Sequence, residues 1–173
     1  MLFSKLAQSV ALATVFAAGA LADAASINAE LQNLQKGTAD FRDAINNYDG
    51  GFKTMVPIAT HTLRMSMAAN SVRKAADASE PIPESEARAV REESDKTIHG
   101  VNEALDAAER KASTPDPNGF KDLWGFGVQY FGKRYANAAD SIKAKLPEDS
   151  TSRVLVTHDN TIERFQAVQA SFQ

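Results

Sequence analysis

Few residues of the types that do acid–base or metal chemistry lie at a useful spacing in this chain. The three histidines, His61, His99 and His158, fall on three different predicted helices, and only His99 is followed at i+4 by an acidic residue, Glu103. Helical zinc and di-iron sites need several ligands that converge on one point. One such pair does not meet that requirement, so no metal site is predicted, and we expect ordinary surface or boundary histidines.

The motifs of the common catalytic sites are also missing from the sequence. The chain has no cysteine, which excludes a thiol enzyme and a disulfide framework, and it contains no GxSxG, HExxH or P-loop motif. Gly125-Phe126-Gly127 has a glycine spacing seen in phosphate loops, but no strand precedes it. We therefore expect a protein that is not an enzyme and that holds no cofactor.

Four hydroxyl groups on the inward faces of predicted helices are the polar groups that could meet a ligand. They belong to Thr62, Ser66, Ser94 and Thr97. A buried carboxylate needs either water or hydrogen-bond donors, and these hydroxyls could donate to it. The alternative is that each hydroxyl bonds the backbone carbonyl four residues earlier in its own helix. The sequence leaves both interpretations open.

A segment rich in both aromatic residues and glycine, residues 119–135, is the most unusual stretch of the chain. Outside the first 22 residues there are eleven aromatic side chains, and six of them fall here, together with four of the nine glycines of the chain. Large rings beside residues without side chains indicate a segment that leaves space for something. Another helix and an apolar ligand are the two candidates.

Apolar residues at alternating steps of three and four predict amphipathic helices throughout the chain. Ser26 and Thr54 are plausible N-caps of the first two, and no stretch shows the alternation of a β-strand. The pattern predicts an all-α up-and-down bundle of five amphipathic helices with mostly antiparallel neighbours. The predicted helices span residues 26–48, 54–78, 84–112, 120–145 and 148 (or 150)–172.

The first 22 residues have the pattern of a secretory signal peptide. A single lysine, Lys5, precedes an uncharged apolar run, and Ala20-Leu21-Ala22 is a small-x-small cleavage site. A membrane anchor is the alternative, but the run is short and rich in alanine. Cleavage after Ala22 leaves 173 − 22 = 151 residues, predicted as one domain over 23–173, with a net charge of −3 − 1 = −4. A mildly acidic surface argues against nucleic acid and against electrostatic binding to anionic membranes.

The whole chain resembles the fungal hydrophobic surface binding protein A family, which includes the cell-wall galactomannoproteins. The resemblance covers most of residues 27–172. It rests on the signal peptide, the cysteine-free mature chain, five helices, a first helix ending Asn47-Tyr48-Asp49-Gly50-Gly51, and a second helix rich in alanine and dotted with Thr and Ser. It implies a secreted or wall-associated five-helix bundle. The absence of a Ser/Thr-rich stalk and of an anchor signal departs from wall-anchored members and favours free secretion.

The resemblance implies one of two activities. In the galactomannoprotein branch the bundle encloses a long-chain fatty acid such as arachidonate or palmitate, so the chain would sequester host or environmental lipid. In the other branch the protein adsorbs to hydrophobic surfaces and helps recruit hydrolases. A packed bundle that binds a protein partner is a third, less specific interpretation.

The first activity needs a hollow core, and the second needs an exposed apolar patch. For surface adsorption the patch would be Leu123, Phe126 and Tyr130, on the second apolar stripe of the fourth helix. For a lipid carrier, the acyl chain would lie between the small residues of the second and third helices and the aromatic fourth helix. The predicted lipid-binding residues are Ile58, Thr62, Met65, Ser66, Ala69, Ser94, Thr97, Val101, Leu105, Phe126, Tyr130, Phe131, Ile162 and Phe165.

Overall fold

A computed structural model of the protein shows five helices among the residues that it describes. It describes the backbone of residues 2–115, 119 and 121–172, and the side chains of residues 23–115, 119, 122–148 and 158–172. The helices are α1 (Leu2–Asn46), α2 (Phe52–Ala78), α3 (Glu84–Ala112), α4 (Lys121–Lys143) and α5 (Glu148–Ala170). The predicted fold class, an all-α bundle of five amphipathic helices, is confirmed.

The two predicted N-caps are wrong. Ser26 lies inside α1 and not at its start, because the alanine-rich residues around it favour a continuous helix. The N-cap of α2 is Gly51, which has no side chain to make a capping bond. Thr54 instead donates its hydroxyl to the Asp49 carboxylate at 2.5 Å. That bond, with one from the Gly51 amide, lowers the pKa of Asp49.

The turn between α1 and α2 has a clear local cause. Gly50 has a φ of 90°, a backbone conformation that residues with a side chain rarely adopt. The predicted stop at Asp49-Gly50-Gly51 is therefore confirmed. The break between α2 and α3 follows from the two prolines, Pro81 and Pro83, of which the second is the N-cap of α3.

The helices form a ring in the order α1, α2, α4, α5, α3, and each packs mainly against its two neighbours in that ring. The pairs α1/α2 and α4/α5 are antiparallel, as expected from their direct connection. The other three pairs are parallel, which corrects the prediction of mostly antiparallel neighbours. In each parallel pair, two contacts advance along both helices in the same direction. For α1/α3 they are Gln35 with Thr97 and Arg42 with Glu103. For α3/α5 they are Asn102 with Thr161 and Asp106 with Arg164, and for α2/α4 they are Met55 with Trp124 and Thr62 with Gly127.

Apart from the second stripe of α4, nearly all described side chains of the predicted apolar stripes point into the ring. On α1, the stripe from Ile27 to Tyr48 is buried at every position, including Thr38, and α3 is buried along its whole predicted face. Thr62 on α2 and Ile162 on α5 are only half-buried. The stripe positions Phe120, Val154 and Leu155 lie outside the described side chains.

Two glycines of α4 allow its neighbours to approach closely. A Cβ atom on Gly127 would lie 3.2 Å from Cγ2 of Thr62 on α2, and one on Gly132 would lie 2.9 Å from Cγ of Phe165 on α5. Gly125 differs, because a Cβ there would only reach 3.5 Å from Phe172, an ordinary contact distance. The space left by Gly127 and Gly132 is therefore filled by two neighbouring helices.

A buried hydrogen bond joins α4 to α5. The Tyr135 hydroxyl lies 2.8 Å from His158 Nδ1, and both side chains are buried. Burial raises the pKa of Tyr135 and lowers the pKa of His158 to about 4, since a low-dielectric surrounding disfavours the charged form of each. The carboxylates Asp159 and Asp140 partly oppose the shift at His158. His158 is thus neutral in the folded protein at neutral pH. Its burial corrects the prediction of a surface or boundary histidine.

Alanine substitutions at the two glycines facing α5 should have opposite effects on stability. Gly125→Ala should stabilise the protein by about 0.5–1 kcal/mol, because alanine favours a helix and meets no obstacle. Gly132→Ala should destabilise it by about 1 kcal/mol, because the new methyl group forces Phe165 to move. Chemical denaturation of both variants measures the difference. Equal shifts in the same direction would contradict the packing described here.

Acid should destabilise the bundle through His158. Its pKa is near 6.5 in an unfolded chain and about 4 in the fold. The unfolded state therefore binds the proton more readily, and stability should fall as pH drops from about 6.5 to about 4, by about 3 kcal/mol in total. His158→Gln keeps a hydrogen-bonding group but does not titrate. Urea unfolding at several pH values should show a loss smaller by that amount in the variant than in the wild type, and identical pH profiles would count against this role.

Candidate ligand-binding groove

A half-open apolar groove lies along the seam between α2 and α4. Its volume is about 240 Å³. Helix α2 contributes small or apolar residues to one wall, α4 contributes aromatic residues and Gly127 to the other, and α1 and α3 supply part of the floor. The lining residues are Phe41, Met55, Ile58, Ala59, Thr62, Leu63, Ala108, Leu123, Trp124, Phe126, Gly127, Val128 and Tyr130.

The floor of the groove is anchored by Trp124. Its indole lies 4.7 Å from the ring of Tyr48 and 5.6 Å from that of Phe172, measured between centroids. Its Nε1–H donates to the sulfur of Met55 at 2.9 Å, so the polar atom of the indole is satisfied without water. Trp124 and Met55 are both buried. The floor is therefore rigid and presents only carbon and sulfur surface to a ligand.

The rim of the groove exposes large apolar side chains to solvent. Seven such residues occur among the described side chains, and all lie on α2 or α4. We call these seven the apolar face; they are Phe52, Val56, Leu63, Met67, Leu123, Phe126 and Tyr130. The rings of Phe126 and Tyr130 stack with centroids 6.2 Å apart, and the Arg134 guanidinium lies over Tyr130. The second stripe of α4 is thus exposed, and Phe126 is 63% accessible.

Two small voids continue from the groove along the axis of the ring. The first has a volume of about 10 Å³ and shares Phe41, Gly127 and Val128 with the groove. The second, of similar size, lies further along the axis, between His158, Tyr135 and residues of α1, α2 and α3. Each is close to the smallest cavity that can admit a single water molecule. The interior is therefore closely packed beyond the groove, with two weak points along its axis.

The predicted lipid-binding residues divide among these spaces. Ile58, Thr62, Phe126 and Tyr130 line the groove. A second set lines the first void: Met65, Val101, Leu105, Phe131 and Phe165. Ser94 and Thr97 line the second void. Ile162 lies with Phe165 in a separate groove between α4 and α5, and Ser66 and Ala69 line none of these spaces.

Several lining residues were not predicted, above all Met55, Ala59 and Leu63 on α2. Met55 and Ala59 flank Ile58, and Leu63 follows Thr62, so they lie on the side of the predicted stripe that turns toward α4. Their role depends on α2 and α4 being neighbours, and no pattern within α2 indicates that. Trp124 also lines the groove and forms its buried floor.

Three of the four inward hydroxyls are already bonded within their own helix. Thr62 donates to Ile58 O, Ser66 to Thr62 O and Thr97 to Glu93 O, each at 2.9 Å. The alternative interpretation from the sequence is therefore the observed one at these positions. The buried Ser94 hydroxyl has no partner. Tyr130 is the one titratable residue among the groove-lining side chains, so the groove suits an apolar ligand and not acid–base chemistry.

Neither a metal cluster nor a bilayer-spanning helix occurs among the described residues. No group of three or more His, Asp or Glu side chains in this part of the chain could hold a metal ion. Among the same residues, no helix is both long enough and apolar enough to span a bilayer.

Solved structures with the same fold include fungal proteins bound to fatty acids. AfMP4p in complex with palmitic acid aligns with a TM-score of 0.83 at 13% identity, over 87% of this chain and 99% of that one. Ligand-binding domain 1 of the Penicillium marneffei MP1 protein, complexed with arachidonic acids, gives a TM-score of 0.80 at 14% identity, with the same coverage. Domain 2 of that protein, with multiple arachidonic acids, gives 0.79 at 13% identity, over 86% of this chain and 94% of that one. At these identities the likeness shows a shared fold.

A comparison with curated protein sequences finds no match. The family model described as hydrophobic surface binding protein A matches residues 24–126, which is more than half of the chain and includes α2, α3 and the first residues of α4. The matched range covers most of the groove-lining residues. The chain therefore belongs to the hydrophobic surface binding protein A family.

Proposed function

We propose that this protein is a secreted lipid carrier, without enzymatic activity, that holds the acyl chain of a long-chain fatty acid in the groove between α2 and α4. The observation that carries the proposal is the groove itself, about 240 Å³ of largely apolar space with a rigid aromatic floor. Ligand sites of small molecules are typically concave, mostly apolar and already formed. The palmitic and arachidonic acids bound by proteins of the same fold support this class of ligand.

The volume sets the length of chain that the groove can hold. A water-sized group takes up about 30 Å³, and a methylene group is of similar size, so the groove accepts about eight methylenes. Their burial contributes roughly 6 kcal/mol before the entropy lost on binding. A chain of 16 or more carbons extends beyond this space. Its remaining methylenes lie along the exposed rim, or they push into the first void past Val128 and Met65.

The carboxylate of the ligand belongs at the open side of the groove. A charged group in the apolar interior would need partners, and three of the four inward hydroxyls are already occupied. At the rim the carboxylate keeps its water. Arg134, which donates to the Tyr130 hydroxyl at 3.2 Å, is a cation placed at that side. Fatty acid and methyl ester should therefore bind with similar affinity, within about tenfold.

Adsorption to hydrophobic surfaces is the second candidate function. The observation that favours it is the apolar face, whose seven side chains are exposed on two adjacent helices. Contiguous exposed apolar surface of this kind marks interaction sites. In that case the groove is the centre of an adhesive surface, and recruitment of hydrolases at the cell surface is what the resemblance to the family implies.

Native mass spectrometry distinguishes the two functions. The protein purified from cells should carry a fatty acid in its native mass, or bind added oleate or arachidonate. At a free ligand concentration of about 100 Kd, binding should stabilise the fold by about 2.7 kcal/mol, which is a measurable rise in Tm. A ligand-free mass together with an unchanged melting curve would contradict the carrier and leave adsorption as the function.

Filling the groove should abolish binding without unfolding the protein. Ala59 is exposed and lines the groove, so Ala59→Trp adds an indole to the space that the acyl chain needs. We expect at least a tenfold loss of affinity for oleate, measured by calorimetry. Ala89→Trp is the matched control, since Ala89 is an exposed alanine of α3 outside the groove. Equal affinities of the two variants would show that the ligand binds elsewhere.

A further inference from the structure

The charges on α2 differ sharply from those on the rest of the chain. Residues 52–76 contain four cations, Lys53, Arg64, Arg73 and Lys74, and no acidic residue. The chain as a whole has a net charge of −3, so the remainder outside this segment carries −3 − 4 = −7. The net charge of the chain argued against electrostatic attraction to anionic membranes. That single number hides an uneven distribution of charged residues along the chain.

The cations lie on the outward side of α2, beside the apolar face. Lys53, Arg64 and Lys74 are exposed, while Arg73 is paired with Asp77 at 2.8 Å. At 100° per residue, the three exposed cations fall within about 60° of Met67 around the helix axis. A helix that combines exposed apolar residues with flanking Lys and Arg is typical of binding to an anionic lipid interface.

Helix α4 continues the same surface. It contributes Leu123, Phe126 and Tyr130, with Lys133 and Arg134 one turn further along. The acidic residues nearest in sequence to this surface lie at its two ends, Asp49 and Asp122 at one end and Asp77, which pairs with Arg73, at the other. The mouth of the groove opens between the two helices, so a lipid surface that covers the apolar face also covers the mouth.

We propose that the outward surface of α2 and α4 docks on an anionic lipid surface, with the apolar face inserted among the acyl chains and Lys53, Arg64 and Lys74 among the headgroups. The mouth of the groove then faces the lipid, and a fatty acid moves between bilayer and groove without crossing water. This transfer step rests on the proposed carrier function, whereas the docking itself does not.

Flotation of the ligand-free protein with vesicles tests the docking. Binding to phosphatidylcholine vesicles with roughly 30% phosphatidylglycerol should exceed binding to pure phosphatidylcholine by about tenfold or more, and it should weaken between about 0.05 and 0.5 M NaCl. Lys53→Glu with Arg64→Glu should lower the affinity for the anionic vesicles at least tenfold. Arg88→Glu with Arg110→Glu changes the net charge equally on exposed sites of α3 and should leave it within about threefold.

A second variant separates the apolar contribution from the charges. Val56→Ser with Met67→Ser removes two exposed side chains that do not line the groove. It should reduce vesicle binding while the affinity for oleate in solution stays unchanged. Circular dichroism and melting curves of all variants confirm that they fold.

Three outcomes would overturn the docking proposal. They are equal binding to neutral and anionic vesicles, adsorption to uncharged polystyrene with no vesicle binding, and a dimer in solution whose dissociation restores no vesicle binding. The transfer step has its own readout, the rate at which a fluorescent fatty acid moves from protein to vesicles. That rate should rise with the concentration of anionic vesicles and stay constant with neutral ones. A protein that floats with vesicles but binds no fatty acid would refute the carrier function alone.

Discussion

Closure of five helices into a ring is the constraint on which the rest of the structure depends. Five cylinders about 10 Å across, each touching two neighbours, surround a central space that no helix occupies. Side chains from all five must fill it, and aromatic and long aliphatic residues such as Phe41, Met65, Phe131 and Phe165 do so. Where these side chains pack closely, only voids large enough for a single water molecule remain. The seam between α2 and α4 is filled less completely, and the groove lies there.

The same ring explains the composition of α4. This helix packs between α2 and α5, and each neighbour approaches it at a glycine, Thr62 at Gly127 and Phe165 at Gly132. Its rings divide by direction. Trp124 and Tyr135 point into the ring and make hydrogen bonds there, while Phe126 points outward at the seam. Helix α4 must both pack against two helices and line a groove. Different residues that alternate along one segment meet these two requirements.

Sequence periodicity predicted the helices and their buried faces because both are local properties. A stripe such as Ile27 to Tyr48 fixes which side of α1 is buried whatever packs against it. The spatial order of the helices is not local, since the connections between them permit several arrangements. The parallel pairs, and with them the α2/α4 seam, could therefore not be read from the chain. Met55 and Ala59 were missed as lining residues for this reason. Thr54 and Ser26 were wrongly assigned as N-caps, because a favourable residue type does not by itself begin a helix.

The two candidate functions share one surface, and this limits how independent they can be. An acyl chain is poorly soluble in water, so a carrier gains from a mouth that contacts the phase where the chain resides. That requires exposed apolar residues around the mouth, which is what adsorption also requires. Such exposure promotes association between copies of the protein unless charge opposes it. Lys53, Arg64 and Lys74 flank the apolar face on α2 with like charge, so two copies of this surface should repel each other while an anionic interface should attract both. Under the two proposals, the cations of α2 would select which apolar partner the surface meets, and the groove would determine what it can take from that partner.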